Sequence, residues 1–110
     1  MTQQSTLDQV TKTTGTQVVH ITDDKGQVDK DPVTLHKKLK EEVAWHADKA
    51  DSTIDFTDGS PFTGPVSFPV PKGKSVPSGP VRDDAELKTY KYTVTGPSGP
   101  PNDPGVIIQN

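Results

Sequence analysis

The sequence predicts an all-β fold, a sandwich of about seven or eight short strands, on three observations. The apolar residues alternate along short runs, which is the period of a half-buried strand. Eleven prolines and nine glycines separate those runs, supplying turns and excluding long helices. The length, 110 residues, suits one domain with a single modest core and leaves no room for a second. Leu, Ile, Val and Phe together number only 23, so the arrangement of these side chains matters more than their abundance.

Residues 1–15 are rich in Thr and Gln, with only Leu7 and Val10 as sizeable apolar side chains. They are expected to be a flexible tail or a weak edge strand, leaving 16–110 as the sandwich domain. The first clear strand is "QVVHIT", stopped by "DDKG", where Gly26 can take a positive φ. Asp23 and Asp24 lack the spacing of a calcium loop and read as turn formers. Pro32 gives an extended entry to "VTLHK", with Val33 and Leu35 on one face and Thr34 and His36 on the other. "EEVAWH" repeats the pattern with Val43 and Trp45, and "KKLKEE" between the two is expected to be a charged hairpin bend.

"STIDF" sets Ile54 and Phe56 on one face, and "DGSPFTGP" ends it in a turn. In "VSFPV", Val66, Phe68 and Val70 alternate, and Pro69, having no amide hydrogen, marks an edge position or a bulge. "PKGKSVPSGPVRDD" is expected to be mostly connection. "TYKYTV" aligns Tyr90, Tyr92 and Val94, "GPSGPPNDPG" is a dense loop, and Val106, Ile107 and Ile108 form the last run. Short strands at this spacing predict an antiparallel sandwich. Its interior would be filled by Trp45, Phe56, Phe68 and the two tyrosines, each burying on the order of 150–250 Å².

Composition narrows the function. The net charge is −3 with both signs interspersed, so there is no positive field for a phosphate backbone, and nucleic acid is not expected as a partner. No stretch is long and apolar enough to span a membrane. With no cysteine, disulfides, thiolate nucleophiles and zinc–cysteine or iron–sulfur sites are excluded together. Gly-x-Ser-x-Gly and phosphate-loop patterns are absent, so catalytic residues are expected to be none and the chain is not expected to be an enzyme. The opening "MTQQSTLDQV" lacks a signal peptide's basic end and apolar run. The chain as written is therefore expected in the cytoplasm, or in the periplasm or outside the cell if a leader has been removed.

The order of "PVTLHKKLKEEVAW", "STIDF", "TYKYTV" and "DPGVII" from about Pro32 to Ile108 resembles the cupredoxin-like family, the β-sandwiches that include plastocyanin. The resemblance implies a Greek-key arrangement and invites a search for its copper ligands. Blue copper needs two imidazoles, one thiolate and a weak axial thioether, because soft sulfur donation sets the electronic properties of the metal. Carried onto this chain, the upstream His falls on Ser52, the Cys on Val94 and the second His near Pro97, while the single methionine is Met1. The resemblance therefore implies a member without copper ligands and without a cofactor. "YKYTV" after "DDAEL" also resembles the tyrosine-bearing strand of immunoglobulin or fibronectin type III sandwiches, which is the alternative fold.

The remaining candidates are the three histidines, His20, His36 and His46. Each points away from the predicted core, and the plain reading is solvated strand residues. A surface zinc or copper site would use His46 with Asp48 or Asp51, although no two histidines lie at i, i+2 or i, i+4 spacing. The expected function is a non-catalytic binding or structural accessory module recognising a protein or small molecule through the Pro/Gly-rich loops 57–65, 71–84 and 96–105. The alternative is a metal-handling protein with a non-blue histidine site. The partner's identity and the oligomeric state do not follow from the residues.

Overall fold

A computed structural model describes residues 15–110; the expected tail, apart from its last residue, lies outside the described residues. Nine strands are found there: β1 (Thr16–Ile21), β2 (Val33–His36), β3 (Glu42–Ala47), β4 (Ser52–Asp55), β5 (Ser67–Val70), β6 (Ser75–Pro77), β7 (Thr89–Lys91), β8 (Thr93–Thr95) and β9 (Gly105–Gln109). They pair as β2-β9-β7, β1-β3-β6 and β5-β4-β8. Only Tyr92 separates β7 from β8, and its amide donates to the Pro104 carbonyl at 3.0 Å. The first and third of these sheets therefore run together as one layer, and β1-β3-β6 is the other. The all-β sandwich is thus present.

Alternation sorts the side chains as the pattern dictates. Val19, Ile21, Val43, Trp45, Ala47, Ile54, Tyr90, Val94, Val106 and Ile108 are all buried on the inward faces of their strands, and Phe56 and Tyr92, just beyond strand ends, are buried with them. Trp45 lies at the centre. Its ring stands edge-on or tilted to Phe56, Phe62, Phe68 and Tyr92 at centroid separations of 5.3–6.2 Å, the geometry in which positive ring edges meet negative faces. The indole N–H donates to the Tyr92 hydroxyl at 3.2 Å, so its one polar atom is satisfied inside the core. Burial pushes the Tyr92 phenol above its usual pKa.

The structure departs from the sequence reading at four places. First, the sandwich is mixed rather than antiparallel: β1 runs parallel to β3, and β2 parallel to β9. Parallel neighbours need crossover connections, and alternation along one strand carries no sign of its partner's direction. Second, "KKLKEE" is no hairpin bend. Lys37–Leu39 forms a 3-10 turn closed by Lys40 in the left-handed region, and it carries the chain between layers because β2 and β3 do not pair.

Third, Val66 is 51% exposed while Phe68 and Val70 are buried, because the strand begins one residue later at Ser67. Fourth, "PKGKSVPSGPVRDD" contains β6 and also Val81, which bridges to Phe62. Its apolar signal is too sparse to read, since β6 is an edge strand with only Val76 turned toward the core.

Other local readings hold. Gly26 has φ 87°, and the Asp23 carboxylate accepts the amides of Lys25 and Gln27 at 2.9 and 3.1 Å, which is turn chemistry. Pro69 sits on the edge strand β5 with its ring exposed, where its missing N–H costs no ladder bond.

Candidate functional site

The outer face of β1-β3-β6 gathers the most chemistry. β1 and β3 run parallel in a register that sets His20 opposite His46, Val19 opposite Trp45 and Ile21 opposite Ala47. Because Val19, Ile21, Trp45 and Ala47 point inward, the two imidazoles must point outward and side by side, with ring centroids 5.4 Å apart. Asp48 follows β3 directly. One of its oxygens, Oδ1, lies 2.9 Å from His20 Nδ1 and 2.7 Å from His46 Nδ1.

Backbone bonds hold this arrangement. The Asp48 amide donates to the Ile21 carbonyl at 3.0 Å. The His20 amide donates to the Asp29 carboxylate at 2.8 Å, and the Asp29 amide returns to the His20 carbonyl at 3.0 Å. Hydrogen bonds from both imidazoles hold the Asp48 carboxyl below the usual carboxylate range, and the same Asp48 contact raises the His20 pKa against a small burial effect.

These two shifts give a pH signature. The stabilisation from His20 is complete below its ordinary value of 6.5 and is lost as pH climbs through the raised one. That from Asp48 is complete above 3.8 and is lost as pH falls through the lowered one. The pair is therefore strongest between those ordinary values. In thermal melts, the parent's advantage over Asp48→Asn should be larger at pH 5.5 than at pH 8.5; an equal or larger gap at the alkaline end would show that no imidazolium–carboxylate pair forms.

Of the metal candidates read from the sequence, His46 and Asp48 are brought together. Asp51 stands apart from them, and its carboxylate accepts the Lys72 amide at 2.8 Å. His20 completes the cluster in its place. The sequence reading left it as a solvated strand residue, because its neighbour is 26 residues along the chain and is reached only through the β1–β3 register. The third histidine, His36, is the last residue of β2, just before the crossover, where Glu41 Oε1 accepts its amide at 2.6 Å and stands 3.1 Å from its Nδ1.

The copper-ligand positions implied by the family resemblance form a second locus. Val94 is fully buried, and Ser52, 4% exposed, has its hydroxyl on the Ala50 carbonyl. Ile54 pairs with Val94 across β4 and β8, so Ser52 and Val94 are diagonal neighbours on one inward face. Pro97 is exposed in the loop that follows.

The three predicted contact loops do not form one surface. β4 and β8 are antiparallel, which puts loop 57–65 at the opposite end from loop 96–105. Loop 71–84 spans both ends: residues 71–74 follow β5 beside Ala47, whereas Thr63 and Gly64 donate to the carbonyls of Pro80 and Ser78. Loop 96–105 packs instead on the β1–β2 connection, with Ser98 donating to the Asp24 carbonyl at 3.0 Å and Asn102 Nδ2 to that of Gly26 at 3.1 Å. No protein-family model matches the chain, and a search of curated proteins finds no match to it.

Proposed function

We propose that the chain is a copper-free, cupredoxin-like Greek-key sandwich serving as a non-catalytic binding or structural accessory module. The observation that carries this reading is the placement of Ser52 and Val94. The two positions to which the resemblance assigns a histidine and a cysteine are diagonal neighbours on one inward face, at the same end of the sandwich, as two ligands of one ion must be. They hold a hydroxyl already bonded to the backbone and an isopropyl group in the core. Among the described residues, two of the six strand pairings are parallel, which favours this reading over an immunoglobulin-type sandwich built from antiparallel sheets.

Recognition then falls to the end above Ser52 and Val94, where residues 71–74 and 96–105 stand on a rigid scaffold, the usual location of contact residues on such folds. The recognised partner is a protein or a small molecule.

Restoring the missing ligands tests the correspondence. A chain carrying Ser52→His, Val94→Cys and Pro97→His should take up Cu(II) and show the intense blue thiolate-to-copper absorption, because two imidazoles and a thiolate suffice to make that centre. The parent should stay without it. A triple variant that folds by circular dichroism yet binds copper without the blue band would overturn the assignment.

A further inference from the structure

We propose that His20, His46 and Asp48 bind one divalent transition-metal ion of the zinc and copper class on the outer face of the β1-β3-β6 sheet. This inference does not depend on the cupredoxin-like reading, because the three side chains lie on the opposite layer from Ser52 and Val94 and point out of the core rather than into it.

Three features carry the argument. The first is donor type. Two imidazole nitrogens and one carboxylate oxygen suit zinc, copper and nickel, whereas magnesium and calcium want more oxygens. The second is geometry. One ligand atom from each residue lies within 4.8 Å of the other two, and the two Nδ1 atoms already converge on a single carboxylate oxygen at 2.9 and 2.7 Å. A tetrahedral zinc with bonds of about 2.0–2.1 Å holds its ligands roughly 3.3 Å apart. The ion therefore enters by displacing the Nδ1 protons, a neutral imidazole carrying its single proton on Nε2 instead and an imidazolium releasing one proton to solvent, and by small side-chain rotations.

The third feature is support. His20 and His46 stand on paired strands rather than on loops, and the amides of His20 and Asp48 are tied to Asp29 and Ile21. Strands and backbone bonds of this kind hold a constellation close to its working geometry. The side chains are roughly a third to under a half exposed, so the fourth coordination position faces water. The bound ion would also tie the edge strand β1 to the central strand β3.

Calorimetric titration of the untagged full chain with zinc should give one ion per chain, and magnesium should give no heat. His20→Ala and His46→Ala should each weaken zinc binding more than tenfold, while His36→Ala, beyond the other end of the sheet, should leave it within twofold. A second measurement needs no variant: during zinc addition to the parent, the imidazole NMR signals of His20 and His46 should shift before those of His36. An absence of zinc heat, zinc affinity unchanged in both His20→Ala and His46→Ala, or His36 shifting together with the other two would overturn the site.

Discussion

Trp45→Ala is expected to destabilise the domain by about 3–5 kcal/mol, the range for deleting a large buried aromatic side chain. Trp45 is fully buried, touches four aromatic rings, and bonds through its indole nitrogen to the Tyr92 hydroxyl. Three losses coincide. Transfer energy goes with the side chain, a cavity remains between two layers that cannot close over it, and the Tyr92 hydroxyl loses its partner inside the core. Against a total stability of about 5–15 kcal/mol, this is a large share of the margin, and the variant should unfold at a much lower denaturant concentration than the parent. Tyr92→Phe is the control: it removes only the bond, and should cost on the order of 1 kcal/mol. Denaturant unfolding of the two variants measures both, and near-equal losses would show that the indole fills no essential space.

Gly26→Ala should be the most damaging single-methyl substitution among the turns, at about 3 kcal/mol, combining a backbone-strain cost with a steric one. Gly26 has φ 87°, where L side chains are strained, and an added Cβ would stand 2.6 Å from the Val94 carbonyl oxygen. That oxygen is held by the Asn102 amide at 2.9 Å and cannot move freely. Gly96 has the reciprocal constraint, since a Cβ there would run into the Asp24 backbone. The β1–β2 turn and the β8–β9 loop thus interlock through two glycines. Gly73→Ala provides the contrast, with a similar φ of 78° and open space around it, so it reports strain without collision. Thermal melts should place Gly26→Ala well below Gly73→Ala; similar melting temperatures would mean that the interlock carries no energy.

The fold was legible where one strand's own pattern decides the outcome. Trp45 with Val43, Ile54 with Phe56, and Tyr90 with Tyr92 and Val94 each alternate in the sequence and are each buried. What alternation cannot encode is which strand lies beside which, and in what direction. The two parallel pairings, the crossover at Lys37–Leu39 and the edge strand Ser75–Pro77 all depend on that missing information. The same gap explains the site. His46 and Asp48 are two residues apart on the outer face and were visible together, whereas His20 joins them only through a register set far along the chain. Asp51 is the sequence's alternative to Asp48, but it follows the next bend and satisfies the Lys72 amide instead.

The outer rims of the two layers have a consequence for behaviour at high concentration. Open strands invite a neighbouring molecule to extend the ladder, which is the first step toward fibrils. Here β5 carries Pro69, β6 ends in Pro77, β2 is entered through Pro32, and the Lys30 ammonium donates to the Val18 carbonyl on β1. Among the described residues, each margin therefore lacks an amide hydrogen within or beside it, or has a carbonyl already engaged by a cation, and molecule-to-molecule stacking along these rims is discouraged without any need for a large net charge.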